Sequence, residues 1–173
     1  MSIERKGAVT FKGDPMTLVG PELKVGDKAP DFVVLPNLVE TATLKNSAGK
    51  VRLMSVVPSL DTGVCETQTR RFNEEASKLG DSVAVLTFSM DLPMALTRFC
   101  STHGIKNLVC YSDYKTGKFG EAYGLLIKEL RLLSRAIFVV GKDDKIKYVE
   151  YVKEVTQHPD YDKALAAVKA AAK

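Results

Sequence analysis

The stretch VRLMSVVPSLDTGVCETQTRRF, residues 51–72, joins an apolar run to an amphipathic one through a tight connection. Its first seven residues, Val51 to Val57, are mostly apolar and β-branched, as in a strand covered on both faces, and Pro58 ends the run. Beyond the connection, one set of residues recurs at helical spacing while the charged residues fall mainly elsewhere; the set is Cys65, Gln68, Phe72, Ala76 and Leu79. The stretch therefore predicts a central strand followed by an amphipathic helix of about four turns.

Further strands and helices are predicted outside this strand–helix segment. Further strands are predicted over 83–90, 108–111, 134–140 and 146–152, and further helices over 94–102, 119–123 and the segment after Pro159. Near the N-terminus, short alternating runs flank Gly13-Asp14-Pro15 and predict a β-hairpin. This order predicts an α/β fold with a partly parallel sheet, in which functional sites favour the carboxyl ends of strands.

Composition narrows the class of protein. The 173 residues, 45% of them hydrophobic, predict a single domain over 1–173 with a substantial core. The net charge is +4, and the basic residues are scattered along the chain rather than clustered. This distribution is weak evidence for nucleic-acid binding. No apolar run approaches the roughly 18 residues of a membrane span, and residues 1–12 are polar. We therefore expect no membrane association and a cytoplasmic location, with the periplasm left open.

The three cysteines, Cys65, Cys100 and Cys110, cannot all pair within one chain, and none forms a C-x-x-C motif. This usage is typical of a reducing compartment. Cys65 opens the predicted helix, where unpaired backbone N–H groups and the helix dipole favour a thiolate. A buried, unreactive cysteine on the apolar stripe is the competing interpretation for Cys65, and it is the expected one for Cys110 in its short strand.

The connection before Cys65 carries two polar residues, Asp61 and Thr62. Each is a natural helix cap, which is the usual role of such residues before a helix. A hydroxyl three residues before the cysteine can also reach a small polar substrate held against the sulfur. Both roles stay open for Thr62.

The order Pro58-x-x-x-Thr62-x-x-Cys65 resembles the peroxidatic site of peroxiredoxins. Further segments narrow the resemblance, and they are PSLDTGVC at 58–65, SMDLP at 89–93 followed by RFC at 98–100, and SRA at 134–136. Together they resemble the bacterial thiol peroxidases, which are atypical 2-Cys peroxiredoxins. The resemblance runs through nearly the whole chain. It implies a thioredoxin fold, with a central mixed sheet flanked by helices and an N-terminal hairpin.

The resemblance also implies roles for the site residues. Cys65 corresponds to the peroxidatic cysteine, whose thiolate attacks the peroxide and becomes a sulfenic acid. Thr62 corresponds to the residue that orients thiolate and peroxide, and Pro58 to the one that shields them from water. Arg135 corresponds to the distant arginine that stabilises the thiolate and hydrogen-bonds the peroxide oxygens. From the residues alone, Arg135 is only a polar residue at the start of a strand.

Cys100 corresponds to the resolving cysteine, which would form an intramolecular disulfide with Cys65. Because bridged Cα atoms must lie within about 7 Å, we expect local unfolding of a helix end during the cycle. No cysteine follows Cys110, which argues against the resolving cysteine near the C-terminus that typical 2-Cys peroxiredoxins use.

The implied enzyme is an antioxidant, thioredoxin-dependent peroxidase that reduces hydrogen peroxide and organic (alkyl or lipid) hydroperoxides. Thioredoxin or a similar dithiol protein returns the electrons, and no metal, flavin or haem is implied. The family usually forms homodimers. We expect the interface at an exposed apolar patch around the 58–65 loop or the segment from Met90 to Met94.

Other chemistries find little support. A cysteine hydrolase needs a histidine base, whereas His103 and His158 lie at predicted helix boundaries, typical of capping or surface residues. The cysteines and His103 lack the paired spacing of zinc motifs, and no Walker loop or G-x-G-x-x-G follows a strand.

Two alternatives stay open beside the thiol peroxidase interpretation. One is a thioredoxin-like sensing module, in which Cys65 and Cys100 report oxidation to a partner without rapid turnover. The other is a monomeric peroxiredoxin of the bacterioferritin-comigratory type, which also resolves within one chain. The spacing of Cys65 and Cys100 favours thiol peroxidase over the second.

Overall fold

The computed structural model describes residues 2–173, so Met1, part of the predicted domain, lies outside the described residues. The strands are β1 (Glu4–Phe11), β2 (Asp14–Val19), β3 (Val51–Val56), β4 (Val83–Ser89), β5 (Val109–Ser112), β6 (Leu126–Ile127), β7 (Leu132–Leu133), β8 (Ala136–Val140) and β9 (Ile146–Tyr151). The helices are α1 (Gly63–Leu79), α2 (Pro93–Thr102), α3 (Lys118–Ala122) and α4 (Tyr161–Ala172), with a 3-10 turn at Leu44–Ser47.

The central sheet has the strand order β5-β4-β3-β8-β9. Strands β3, β4 and β5 run parallel, whereas β8 pairs antiparallel with β3 and with β9. The prediction of a mixed central sheet is confirmed. Because β8 runs antiparallel to β3, its first residue Ala136 pairs with Val56, the last residue of β3. The chain just before β8 therefore meets the carboxyl end of β3.

The predicted N-terminal hairpin is present as β1 and β2, which form a second sheet with β6 and β7 in the order β1-β2-β6-β7. Its turn lies at Lys12 and Gly13, both with positive φ, as a two-residue hairpin turn requires. Asp14 and Pro15, which the sequence analysis included in the turn, belong to β2. Strands β6 and β7 were not predicted, because two residues are too few to show a period.

Side chains alternate between the two faces of the central sheet, as the pleat requires. On one face, Leu53 of β3 packs among side chains of α1, α2 and α4. On the other, Met54 packs against a cluster around Phe88 and Phe119, whose rings stack with centroids 4.1 Å apart. Both faces of β3 are thus buried, which explains its continuous apolar sequence.

The helices begin close to their predicted positions. Helix α1 starts at Gly63, two residues before Cys65, and ends at Gly80, whose φ of 75° suits a glycine. Helix α4 is capped by Asp160, whose side chain accepts a 3.0 Å hydrogen bond from the Lys163 backbone N–H. Within residues 2–173, no helix has the length and apolar character that crossing a membrane requires.

Gly124 marks a close approach between the end of α3 and the chain after β2. Its φ is 64°, and a Cβ built there would lie 1.9 Å from the carbonyl oxygen of Pro21. Gly7 has the same φ, but a Cβ there meets nothing within 4 Å. Alanine substitutions at the two positions therefore separate the cost of a left-handed backbone from the cost of a steric clash.

We predict that Gly124→Ala lowers the free energy of unfolding by about 1–3 kcal/mol more than Gly7→Ala, since only the former overpacks its surroundings. Gly7→Ala itself costs about 1–2 kcal/mol for the left-handed conformation. Urea unfolding followed by circular dichroism measures both values. Equal losses in the two variants would contradict the close approach at Gly124.

Candidate active site

Cys65 is the third residue of α1 and lies in its first turn, directly after the loop that leaves the carboxyl end of β3. The side chain is fully buried. The first turn of a helix presents unpaired backbone N–H groups and the positive end of the helix dipole. The structure thus places Cys65 at the strand end and helix start that the sequence predicted.

Arg135 directly precedes β8 and reaches the sulfur of Cys65. Its Nη2 donates to Cys65 Sγ at 3.2 Å, its Nη1 to Gln68 Oε1 at 2.8 Å, and its Nε to the carbonyl oxygen of Val155 at 2.9 Å. The side chain is only 2% exposed. A buried guanidinium needs acceptors for its N–H groups, and the Cys65 sulfur is one of the three acceptors that Arg135 has here.

Gln68 completes this network, one helical turn after Cys65. Its Nε2 donates to Ser55 Oγ of β3 at 2.8 Å, while its Oε1 accepts from Arg135. Both Gln68 and Ser55 are fully buried. In the sequence, Gln68 belongs to the same helical stripe as Cys65 and Phe72, and no role is predicted for it. The available signal was a polar residue on an otherwise apolar helix face.

Pro58, Thr62 and Arg135 line one cavity of about 310 Å³ beside Cys65. Its remaining lining residues are Phe11, Lys12, Gly63, Val64, Val155 and Thr156. Thr62 occupies the N-cap position of α1 but makes no side-chain cap bond; its hydroxyl donates instead to the carbonyl oxygen of Ser59 at 3.1 Å. The structure therefore brings the predicted residues Pro58, Thr62, Cys65 and Arg135 to one place.

Asp91 holds the loop before α1 in position. Its carboxylate accepts from Ser59 Oγ at 2.7 Å, from the Leu60 backbone N–H at 2.8 Å and from Ser89 Oγ at 2.8 Å. With Pro93 two residues later, Asp91 has the sequence position of a helix-start signal, but the N-cap of α2 is Leu92. Asp91 instead ties the end of β4 to the loop that leads to Cys65.

Cys100 lies apart from this network, in the last turn of α2. Its sulfur is 3.5 Å from that of Cys110 on β5, and all three cysteines are free thiols. The hydrogen bond with Cys110 lowers the pKa of Cys100, against the effect of burial. The same contact, together with burial, raises the pKa of Cys110 well above its usual value.

Neither histidine takes part in the site around Cys65. His103 Nδ1 lies 3.5 Å from Glu66 Oε1, and His158 Nδ1 lies 2.7 Å from the Tyr161 hydroxyl. In the part of the chain that the structure describes, no group of three or more histidine, cysteine, aspartate or glutamate residues is placed to hold a metal ion. The site's chemistry therefore centres on the sulfur and the guanidinium.

Comparison with known protein families identifies the family of this chain. The family model described as Redoxin matches residues 24–165. The chain belongs to the Redoxin family. The match spans the strand, loop and helix around Cys65, as well as Cys100, Cys110 and Arg135.

Redoxin relatives with close sequences are thiol peroxidases. That of Halalkalibacterium halodurans is 59% identical over 164 residues, with 95% of this chain and 98% of the relative covered. That of Bacillus subtilis is 56% identical over 165 residues, with the same coverage. The predicted resemblance is confirmed, and this Redoxin protein is a peroxiredoxin-type, thiol-dependent peroxidase, an antioxidant oxidoreductase.

Solved Redoxin structures confirm the thioredoxin fold. A peroxiredoxin-like protein from Aquifex aeolicus superposes with a TM-score of 0.88 at 42% identity, covering 95% of this chain and 96% of that one. A thiol peroxidase from Chromobacterium violaceum superposes with a TM-score of 0.83 at 19% identity, covering 95% and 97%. At that lower identity, the second likeness concerns the fold alone.

The network predicts a positioning role for Gln68. Gln68→Met keeps the bulk of the side chain but leaves Arg135 Nη1 and Ser55 Oγ without their buried partner. We expect the free energy of unfolding to fall by about 1–3 kcal/mol. Because Arg135 is then held less firmly beside Cys65, kcat/KM for peroxide should fall about tenfold or more.

Gln157→Met is the matched control, since it makes the same substitution at an exposed position. Urea unfolding and peroxide consumption are measured for both variants. A Gln68→Met protein with the unfolding energy and kcat/KM of the control would show that the Gln68 bridge contributes nothing.

Proposed function

We propose that this peroxidase reduces hydrogen peroxide and organic hydroperoxides at Cys65, resolves the resulting sulfenic acid with Cys100, and is reduced by thioredoxin. The observation that carries the proposal is the 3.2 Å hydrogen bond from Arg135 Nη2 to Cys65 Sγ at the edge of the cavity. An arginine held by two further bonds is preorganised to stabilise a thiolate and the charge that develops on peroxide oxygen.

In the first step, the Cys65 thiolate attacks one peroxide oxygen. A sulfur–oxygen bond forms, the O–O bond breaks, and the leaving oxygen takes the electron pair and is protonated to water or an alcohol. Cys65 becomes a sulfenic acid. The Thr62 hydroxyl at the cavity mouth retains lone pairs for the peroxide, and Pro58 limits the access of water.

The cavity supports the proposal that substrates larger than hydrogen peroxide are reduced. Its volume of about 310 Å³ and the apolar side chains of Phe11, Val64 and Val155 leave room for an alkyl chain beside the reacting sulfur. The polar contacts of Arg135 and Thr62 lie where the peroxide group would enter. We therefore include alkyl and lipid hydroperoxides in the proposed substrate class.

In the second step, the Cys100 thiolate attacks the Cys65 sulfur and hydroxide leaves, giving an intramolecular disulfide and, after protonation, water. The two helix ends are neighbours, because His103 at the C-cap of α2 lies 3.5 Å from Glu66 in the first turn of α1. Since Cys65 is buried against Arg135, the first turn of α1, the last turn of α2, or both must unwind.

Such unwinding would expose the disulfide to a dithiol reductant of the thioredoxin type. The attacking thiolate of that protein forms a mixed disulfide with one cysteine, and its second thiol releases the reduced enzyme. The two electrons that reduced the peroxide are thereby replaced. Thioredoxin is thus the proposed protein partner.

We also propose a homodimer. Leu92 and Met94, at the start of α2, are 46% and 53% exposed, and Leu38 and Val39 beside them are 58% and 90% exposed. An exposed apolar patch of this kind is typical of an interaction surface. It includes Leu92 and Met94 of the predicted segment from Met90 to Met94, whereas Pro58 and Leu60 of the 58–65 loop are buried.

The proposed roles of Cys65 and Cys100 predict different losses of activity when each is replaced by serine. Cys65→Ser should abolish peroxide reduction, because no other thiol contacts Arg135. Cys100→Ser should react with a first peroxide and stop at a sulfenic acid that dimedone traps, with no turnover on thioredoxin. A coupled assay with thioredoxin, thioredoxin reductase and NADPH measures turnover, and peptide mass mapping locates the dimedone adduct.

Ser101→Ala, at the exposed residue next to Cys100, is the control and should turn over normally. Retained turnover in Cys65→Ser would refute the assignment of the peroxidatic cysteine. Normal turnover of Cys100→Ser on thioredoxin would move the resolving role to Cys110 or to an external thiol.

A further inference from the structure

Cys110 has no part in the two-cysteine cycle, yet it is the residue that the Cys100 sulfur faces. The two sulfur atoms are 3.5 Å apart, so a shift of about 1.5 Å would bring them to disulfide distance. Cys110 is buried on β5, the edge strand of the central sheet, and Cys100 is half-buried at the end of α2. This contact exists with both elements fully folded.

We propose that Cys110 is a third redox-active cysteine, which takes over the disulfide from Cys65 by thiol–disulfide exchange at Cys100. The proposal rests on the proposed function, because it starts from the Cys65–Cys100 disulfide. The Cys110 thiolate forms a bond with Cys100 Sγ, the Cys65–Cys100 bond breaks, and its electron pair leaves on Cys65. Cys110 loses one proton to solvent, and no net oxidation or reduction occurs.

The fold favours this direction of exchange. The Cys65 thiolate is the better leaving group, because it returns to the guanidinium of Arg135. Cys65 and Cys100 have separate contacts when folded, so bridging them displaces a helix end, whereas Cys100 and Cys110 are already adjacent. Exchange therefore lets the first turn of α1 and the last turn of α2 refold.

Cys110 also becomes a better nucleophile once Cys100 is oxidised. In the reduced protein the largest cause of the raised pKa of Cys110 is its hydrogen bond with Cys100, followed by burial. A sulfur in a disulfide carries neither a proton nor a charge, which removes the contribution of Cys100. The thiolate of Cys110 is then easier to form at the stage when the exchange needs it.

The pair is open to solvent on one side. A cavity of about 460 Å³ is lined by Cys100 and Cys110 together with Leu96, Thr97, Ser101 and Ile105, among others. A dithiol reductant can reach the exchanged disulfide there. Cys65, back beside Arg135, would be free to react with a second peroxide.

Trypsin separates the three cysteines onto different peptides, residues 53–70, 99–106 and 107–115, so linked peptides identify each disulfide. The reduced protein is mixed with one equivalent of hydrogen peroxide without reductant, quenched with acid at successive times, alkylated and mapped. We expect linked 53–70 and 99–106 first, replaced by linked 99–106 and 107–115. A lasting Cys65–Cys100 link with free Cys110 would overturn the proposal.

The peroxide stoichiometry gives an independent readout. Without reductant, the unmodified chain should consume about two equivalents, the second oxidising the released Cys65 to a dimedone-reactive sulfenic acid. Cys110→Ser should consume about one. Val109→Ser introduces serine at the neighbouring exposed position of β5 and should keep the value of two. Equal consumption by the unmodified chain and Cys110→Ser would count against the exchange, and circular dichroism checks that the variants are folded.

A further variant separates this proposal from the proposed function. Cys65→Ser lacks the peroxidatic group, so a Cys100–Cys110 disulfide formed when this variant is treated with diamide reports the pair alone. Its failure to form would refute the relay even if the peroxidase cycle stands.

Discussion

The burial of the Arg135 guanidinium is the constraint on which the site depends. A positive charge at 2% exposure has to be matched by acceptors, and here they come from two separate segments: Cys65 and Gln68 of α1, and Val155 after β9. The antiparallel pairing of β8 with β3 brings position 135 to the carboxyl end of β3. The position of the guanidinium therefore depends on the register of the sheet. A change in the pairing of β8 with β3 would move the guanidinium away from the sulfur.

The surroundings of Cys65 combine a rigid side with a side that can move. On the rigid side, Arg135 is held through all three of its nitrogen atoms, and Gln68 ties it to Ser55 in the central strand. On the other side, Cys65 belongs to the first turn of α1, whose Thr62 cap makes no side-chain cap bond. A helix end without a side-chain cap bond unwinds at lower cost, which suits the proposed change of partner at Cys65.

The three cysteines lie in different surroundings. Cys65 lies beside the Arg135 guanidinium, Cys100 beside a thiol, and Cys110 on the edge strand β5. In the proposed exchange, oxidising equivalents would pass from buried Cys65 toward the cavity at α2 and β5. Such a relay would separate the place where peroxide is reduced from the place where the reductant acts. The thiolate of Cys65 would then be restored before the chain has been reduced.

By itself the sequence determined the elements and their order, because apolar periodicity, prolines and glycines act over a few residues: β3, α1 and the placement of Cys65 at its start followed from residues 51–72. Pro58, Thr62, Cys100 and Arg135 came from resemblance to a family. Only the tertiary structure decided that Gln68 bridges Ser55 and Arg135, that Asp91 holds the loop, and that Cys100 faces Cys110. Those contacts depend on strand register and helix packing between segments up to 67 residues apart, as for Gln68 and Arg135, and local sequence pattern does not encode these.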